Sequence, residues 1–284
     1  GVIALSGCSQ PTSNDSPGST TTSPSLLVPK ERLAIYHEVP LTADLTHLSE
    51  NQRAMLSLLI DASVIMDNLF WQQAFHENKT DFLASLTDPA IRRFADINYG
   101  PWDRLNGDRP FLSGYEEKAP GAEFYPHDIT KDAFNKASFA DKDGLYSIVR
   151  YDDAGNLTSI PYSEAYAAPL QKAAELLRKA SELADNPAFA NYLSLRADAL
   201  LSDDYLASDM AWMGMKTNPI ELVIGPIESY EDQLFGYRAA FEAYVLIKDM
   251  AWSEKLAKYA QFLPELQRGL PVPDAYKQET PGSD

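Results

Sequence analysis

Apolar residues recur at helical spacing between Leu48 and Phe75, where Met55, Leu56, Leu59, Val64, Met66, Leu69, Phe70 and Trp71 make one wide face. That spacing predicts a long helix. Ser49 with Gln52 three residues on has the form of a capping box and fixes its start. A shorter helix is predicted from Lys79 to Leu86, closed by Asp88-Pro89, and another from Ala90 to about Ile97. From Ser163 to Ala184 a stripe of Leu170, Ala174, Leu177 and Ala180 predicts a further helix. Asn186 and Pro187 then offer an N-cap and a first helical residue for a partner running to about Leu201, so the two form a helical hairpin. Phe235 to Asp249 and Ser253 to Phe262 also read as helices.

Two stretches change period. In Gly144 to Tyr162, the residues Tyr146, Ile148 and Arg150 alternate with Ser147, Val149 and Tyr151 before a Gly-containing loop, Asp152 to Asn156. This predicts a β-hairpin. Ile220 to Ile227 is a short apolar run interrupted by Gly225-Pro226, which marks a strand with a bulge or edge. The predicted fold is mainly α with a small β component (α+β): a helical lobe with a hairpin at about 145–160 and a strand at about 220–227. Ile97 to Asp128 is rich in Gly, Pro and aromatics without periodicity, so it is either a wall of a cleft or a wrap over the core. No internal repeat is evident.

Composition narrows the partners. The chain of 284 residues is 45% hydrophobic with 11% aromatics, enough for a packed core. Its net charge of -17 opposes a nucleic-acid partner and a polybasic membrane patch. Cys8 stands alone, so no intramolecular disulfide can form. It follows the apolar run Gly1 to Leu5 and Ser6-Gly7, and precedes a Ser/Thr/Pro-rich tract. This resembles the lipobox and tether of bacterial lipoproteins. The expected organisation is a partial signal peptide over 1–8 ending at the lipidated Cys8, a disordered tether over 9–29, and a helical lobe over 30–284. No other stretch reads as a membrane span of ~20 apolar residues, so membrane contact would come through the lipid alone. The resemblance implies the bacterial cell envelope: outer membrane and periplasm, or cell surface.

Candidate chemistry is sparse. His37, His47, His76 and His127 include no pair at i, i+4, and no zinc helix, P-loop, dinucleotide loop or nucleophile elbow occurs. Each histidine reads as a surface or core residue, and no metal ligand set is predicted. Asp152, Asp153 and Asn156 lack the spacing of a calcium loop. Glu228 and Tyr230 sit two apart at the end of the predicted strand, so both would leave one face if the strand continued. A carboxylate there can bind an ammonium, and a phenol can donate to a developing oxyanion. The same residues also suit an acidic turn capping the core.

The segment "IGPIESYEDQLFGYRAAFEAYVLIKD", Ile224 to Asp249, resembles the dipeptidyl peptidase III family of zinc exopeptidases. That family reads approximately I-G-F-I-E-[ST]-Y-x-D-P-x-G-x-R-x-E-F-E-G-F-V here. Ile224, Gly225, Ile227, Glu228, Ser229, Tyr230, Asp232, Gly236, Phe241, Glu242 and Val245 fall on the pattern. Pro226 in place of an aromatic, the altered turn Gln233-Leu234-Phe235, and Ala240 in place of a glutamate depart from it. The match weakens over the rest of Ile35 to Asp249. The resemblance implies that Glu228 anchors the free N-terminus of a peptide substrate and that Tyr230 stabilises the transition state. Ser229, Asp232 and Glu242 are the further substrate-binding candidates it brings. It also implies a zinc cofactor held by His-Glu and glutamate motifs further along the chain, neither of which occurs here. The expectation is therefore an N-terminal substrate-binding lobe, inactive alone, that awaits a C-terminal catalytic lobe. The other reading is a non-catalytic surface lipoprotein that binds peptides or glycans.

Overall fold

The computed structural model describes residues 23–278, so Cys8 and its apolar run lie outside the described residues. Helix α1, Glu50–Ala74, opens on the predicted capping box: the Ser49 hydroxyl accepts from the Gln52 amide, and Gln52 Oε1 accepts from the Ser49 amide. It is long and apolar enough to cross a membrane by length and composition, which departs from the sequence expectation. Its packing is that of a core helix, with Leu59, Ala62, Met66 and Leu69 fully covered. Helices α2, Lys79–Ser85, and α3, Pro89–Asn98, follow, with Asn78 and Asp88 as their caps.

The aromatic segment after α3 contains a two-residue ladder of β1, Trp102–Asp103, with β2, Arg109–Pro110, and then α4, Lys131–Lys136. Trp102, Phe111, Leu112, Phe124 and Tyr125 are buried, so this segment wraps the core. Trp102, Phe111 and Leu112 join Trp71, Phe75, Phe82 and Phe94 in a satellite cluster. Residues 25–28, which fall in the stretch read as tether, are held against the body. Leu26 bridges Leu112, the Leu27 amide donates to the Phe111 carbonyl, and Ser25 bonds Ser113. Leu26 and Val28 also pack on the satellite cluster, which holds the chain well before residue 30.

The hairpin forms as predicted, with β3, Ser147–Tyr151, antiparallel to β4, Leu157–Pro161. A single turn, α5, Tyr162–Ala165, leads into α6, Ala167–Leu183, and α7, Pro187–Ser202, the helical hairpin. Asn186 accepts from the Phe189 amide at the predicted cap. Helix α8, Leu206–Gly214, follows unforeseen, because only Ser208 of it is buried and no apolar stripe announces it.

One prediction fails in kind. Ala240 to Ile247, expected within a helix, is strand β6, paired antiparallel with β5, Ile220–Glu228. Phe241, Ala243, Val245 and Ile247 alternate with Glu242, Tyr244 and Leu246, and the second set is the more exposed. The same apolar positions also satisfy helical spacing, and pairing with β5 decides between them. Helix α1 packs across α6 and β6 and forms the centre of the main core. Helices α9, Met250–Ala260, and α10, Leu263–Arg268, follow, and a 3-10 turn at Asp274–Tyr276 comes after them.

Candidate active-site edge

Strand β5 ends in an irregular step. Pro226 faces Phe241 and Glu228 faces Ala240, which leaves Ile227 as the extra residue of a bulge. Gly225 has φ 127°, a conformation side chains rarely adopt, and an added Cβ would meet the Tyr205 ring at 3.4 Å. Pro226, which cannot donate to a ladder, is tolerated beside this bulge.

Glu228 is the last strand residue and is exposed. Strand geometry does not continue to Tyr230, which lies in the following turn and is 80% exposed. The condition for a shared strand face is therefore not met; both groups nonetheless reach solvent at one end of the sheet. Ser229 between them is half-buried.

Glu242 is brought to Glu228. The two carboxylates interact through their charges, and the Tyr244 hydroxyl donates to Glu242 Oε2 at 3.1 Å. Glu242 Oε1 is buried and has no partner. Burial raises the Glu242 pKa, and the Glu228 charge raises it further. Glu242 and Tyr244 also line a cleft of about 320 Å³ with Asp67, Phe70 and Tyr99. An acceptor left open beside a second carboxylate favours a cationic donor.

Asp232 does not belong to this group, which corrects its assignment to substrate binding. It is 3% exposed. Tyr125 donates to its Oδ2 at 2.7 Å, and the amides of Leu234, Phe235, Tyr237 and Arg238 occupy both oxygens. Its role is to fold the loop between β5 and β6. Glu231 beside it is also internal. Arg104 grips it with two bonds of 2.6 and 3.0 Å, and Lys118 adds one of 2.6 Å. Burial alone would raise the Glu231 pKa, but the two cations outweigh burial and lower it. Buried Arg238 donates to the carbonyls of Gly144 and Lys142 and so ties the same loop to the start of the hairpin. Sequence reasoning missed Glu231 and Arg238 as the loop's locks. Arg238 stands on the arginine of the quoted G-x-R pattern, which was its one cue, whereas Glu231 showed only as one acid in a run of acids.

The edge offers carboxylates and phenols but no imidazole. Among the described residues, the one group able to hold a metal ion is His76, Glu123 and His127. The residues around Glu228 thus do not fit a zinc centre, and no step through zinc is derived for them.

The sequence profile of peptidase family M49 matches residues 115–281. The chain belongs to peptidase family M49. The M49 match contains the whole of β5, the loop and β6. The chain is similar to Nudix hydrolase 3 of Arabidopsis thaliana, 32% identical over 87% of this chain and 40% of that protein. It is also similar to dipeptidyl peptidase 3 of Mus musculus, 31% identical over 46% of this chain and 18% of that one. Among solved structures, DPP III from Caldithrix abyssi superposes with a TM-score of 0.80 at 39% identity, over 88% of this chain and 49% of that one. DPP III from Corallococcus sp. strain EGB gives 0.78 at 35% identity, over 87% of this chain and 48% of that one. The chain thus spans half or less of the length of these relatives.

Proposed function

We propose that this edge holds the free N-terminus of a peptide, as the substrate-binding part of a zinc-dependent dipeptidyl peptidase. The observation that carries the reading is the buried, unpartnered Glu242 Oε1 beside Glu228. A substrate ammonium would satisfy that oxygen and relieve the repulsion between the two carboxylates. Tyr230, freely exposed at the same end, would donate to the oxyanion of the scissile carbonyl. Anchor and donor on one braced edge would fix the distance from ammonium to cleaved bond. The zinc, when bound, supplies an activated water; its ligands lie outside the residues of this edge. The chain alone would bind peptide without cleaving it. In the cell it would be held at the bacterial envelope by lipid on Cys8, so Cys8→Ala should release it from the membrane fraction.

The binding test compares one short peptide with a free and an acetylated N-terminus by calorimetry. Acetylation and Glu228→Gln should each weaken binding about tenfold or more, as expected for loss of a charged hydrogen bond. Equal affinity for both peptides would overturn the anchor. In a form that also carries the zinc ligands, Tyr230→Phe should lower kcat by roughly 10²–10³-fold. Unchanged turnover would remove Tyr230 from the reaction.

A second reading rests on a different observation. A cleft of about 320 Å³ beside β5 is lined by Tyr146, Tyr205, Trp212 and Met213, with Arg196 and Asp209 at its polar side. Aromatic walls of this kind suit a glycan or an apolar side chain in a purely binding module. That reading predicts affinity indifferent to the peptide's N-terminus.

A further inference from the structure

His76, Glu123 and His127 come together from two parts of the chain. The His127 Nε2 lies 2.9 Å from Glu123 Oε1, and the His76 Nδ1 lies 3.8 Å from the same oxygen. All three ligand atoms fall within 4.8 Å of one another. The imidazole rings meet edge to face, with centroids 5.7 Å apart.

The backbone beneath each residue is fixed. His76 follows Phe75, which is buried in the aromatic cluster and whose amide bonds the Trp71 carbonyl at the end of α1. The Glu123 amide donates to the Gln73 carbonyl, and its carbonyl accepts from Arg150 Nη2. The Val149 amide donates to the Phe124 carbonyl, which fastens the next residue to β3. A turn from Pro126 to Ile129 then presents His127. Arg150 donates to the carbonyls of Val149 and Glu123, while the Glu123 carboxylate faces the two imidazoles. That carboxylate is mostly covered at 15% exposure, whereas the imidazoles are 52% and 53% exposed. The cluster is therefore rooted on the protein side and open on the other.

We propose that His76, Glu123 and His127 bind a divalent transition cation of the zinc, cobalt or nickel type. Two imidazole nitrogens and one carboxylate oxygen suit such borderline ions, whereas magnesium and calcium prefer all-oxygen shells. Ligand bonds of about 2.0–2.2 Å require the three atoms to draw closer, which the half-exposed imidazoles allow by side-chain rotation. The remaining coordination positions face solvent and would hold water. The site is separate from the Glu228 edge and depends on none of its residues.

The test uses the whole chain after chelator treatment and desalting. Cobalt(II) titration should give a saturable visible absorption of one equivalent, displaced by zinc and not by magnesium. Zinc should also raise the melting temperature in a concentration-dependent way. His127→Ala and His76→Ala, both at exposed positions, should keep the metal-free melting temperature and weaken cobalt binding at least about tenfold. Cys8→Ser and Glu228→Gln should bind cobalt as the parent does, which separates this site from the lone thiol and from the peptide anchor. Absence of saturable binding, or binding that survives both histidine substitutions, would overturn the proposal.

Discussion

At the scale of single residues, four carboxylates around one loop have different fates because of what surrounds them. Glu231 and Asp232 are enclosed and saturated, Glu228 is open, and Glu242 is half enclosed with one oxygen unmatched. The sequence shows only a run of acids, because the deciding donors arrive from afar: Arg104 is 127 positions from Glu231, and Tyr125 is 107 from Asp232. The pH behaviour of Glu231 and Glu242 should differ in sign. The folded state lowers the Glu231 pKa below 4.5, so its stabilisation is present above that value and is lost as pH falls through the folded value. Glu231→Gln should cost about 3–5 kcal/mol at neutral pH, the scale for breaking a buried ion pair. Urea midpoints should converge with those of the parent in acid. Glu242 is the reverse case. Its folded pKa is raised above 4.5, so stability is lost as pH rises through the raised value. Glu242→Gln should therefore increase the urea midpoint at pH 7 while leaving it nearly unchanged at pH 4. A lower midpoint at pH 7 would show that Glu242 has a partner that balances its charge.

At the scale of elements, legibility followed local information. Helices α1 and α7 announced themselves through caps that are written in adjacent residues, Ser49 with Gln52 and Asn186 with Pro187, whereas Asp88-Pro89, read as a stop, also caps and opens α3. Strand β6 did not, because "AFEAYVLI" fits both periods and only the register against β5 makes it a strand. The bulge was foreshadowed by Gly225-Pro226, yet its consequence for Tyr230 was not, since a single extra residue ends the alternation that the pairing of Glu228 and Tyr230 assumed. The sensitive point of this element is Gly225. Gly225→Ala should destabilise the chain by about 1–3 kcal/mol through its positive φ. It should also weaken binding of a free peptide N-terminus by displacing Glu228 relative to Glu242. Guanidinium melts and the calorimetric comparison read the two effects separately.

At the scale of the molecule, burial is unevenly distributed. The main core joins α1, α6, α7 and the β5–β6 pair, and an aromatic satellite gathers under the segment before α4. Helices α9 and α10 bury no residue, while Trp252, Leu256, Tyr259, Phe262 and Leu266 stay exposed. Segments with so little buried apolar area open most readily. Limited trypsin digestion should cut at Lys255, Lys258 or Arg268 well before any site in α6 or α7. Simultaneous cleavage in α6 would mean that α9 and α10 are braced as firmly as the core.

Gln73 has a double attachment near the end of α1. Its backbone carbonyl takes the Glu123 amide, and its side-chain Oε1 takes the Phe241 amide inside β6. One fully buried residue thus shields two amide protons that are far apart in sequence. In deuterium exchange the two should be protected as one cooperative unit, released together when the end of α1 unwinds. Gln73→Leu should split them: the Phe241 proton should exchange faster, while the Glu123 proton, bonded to a carbonyl that the substitution keeps, should retain its slow rate.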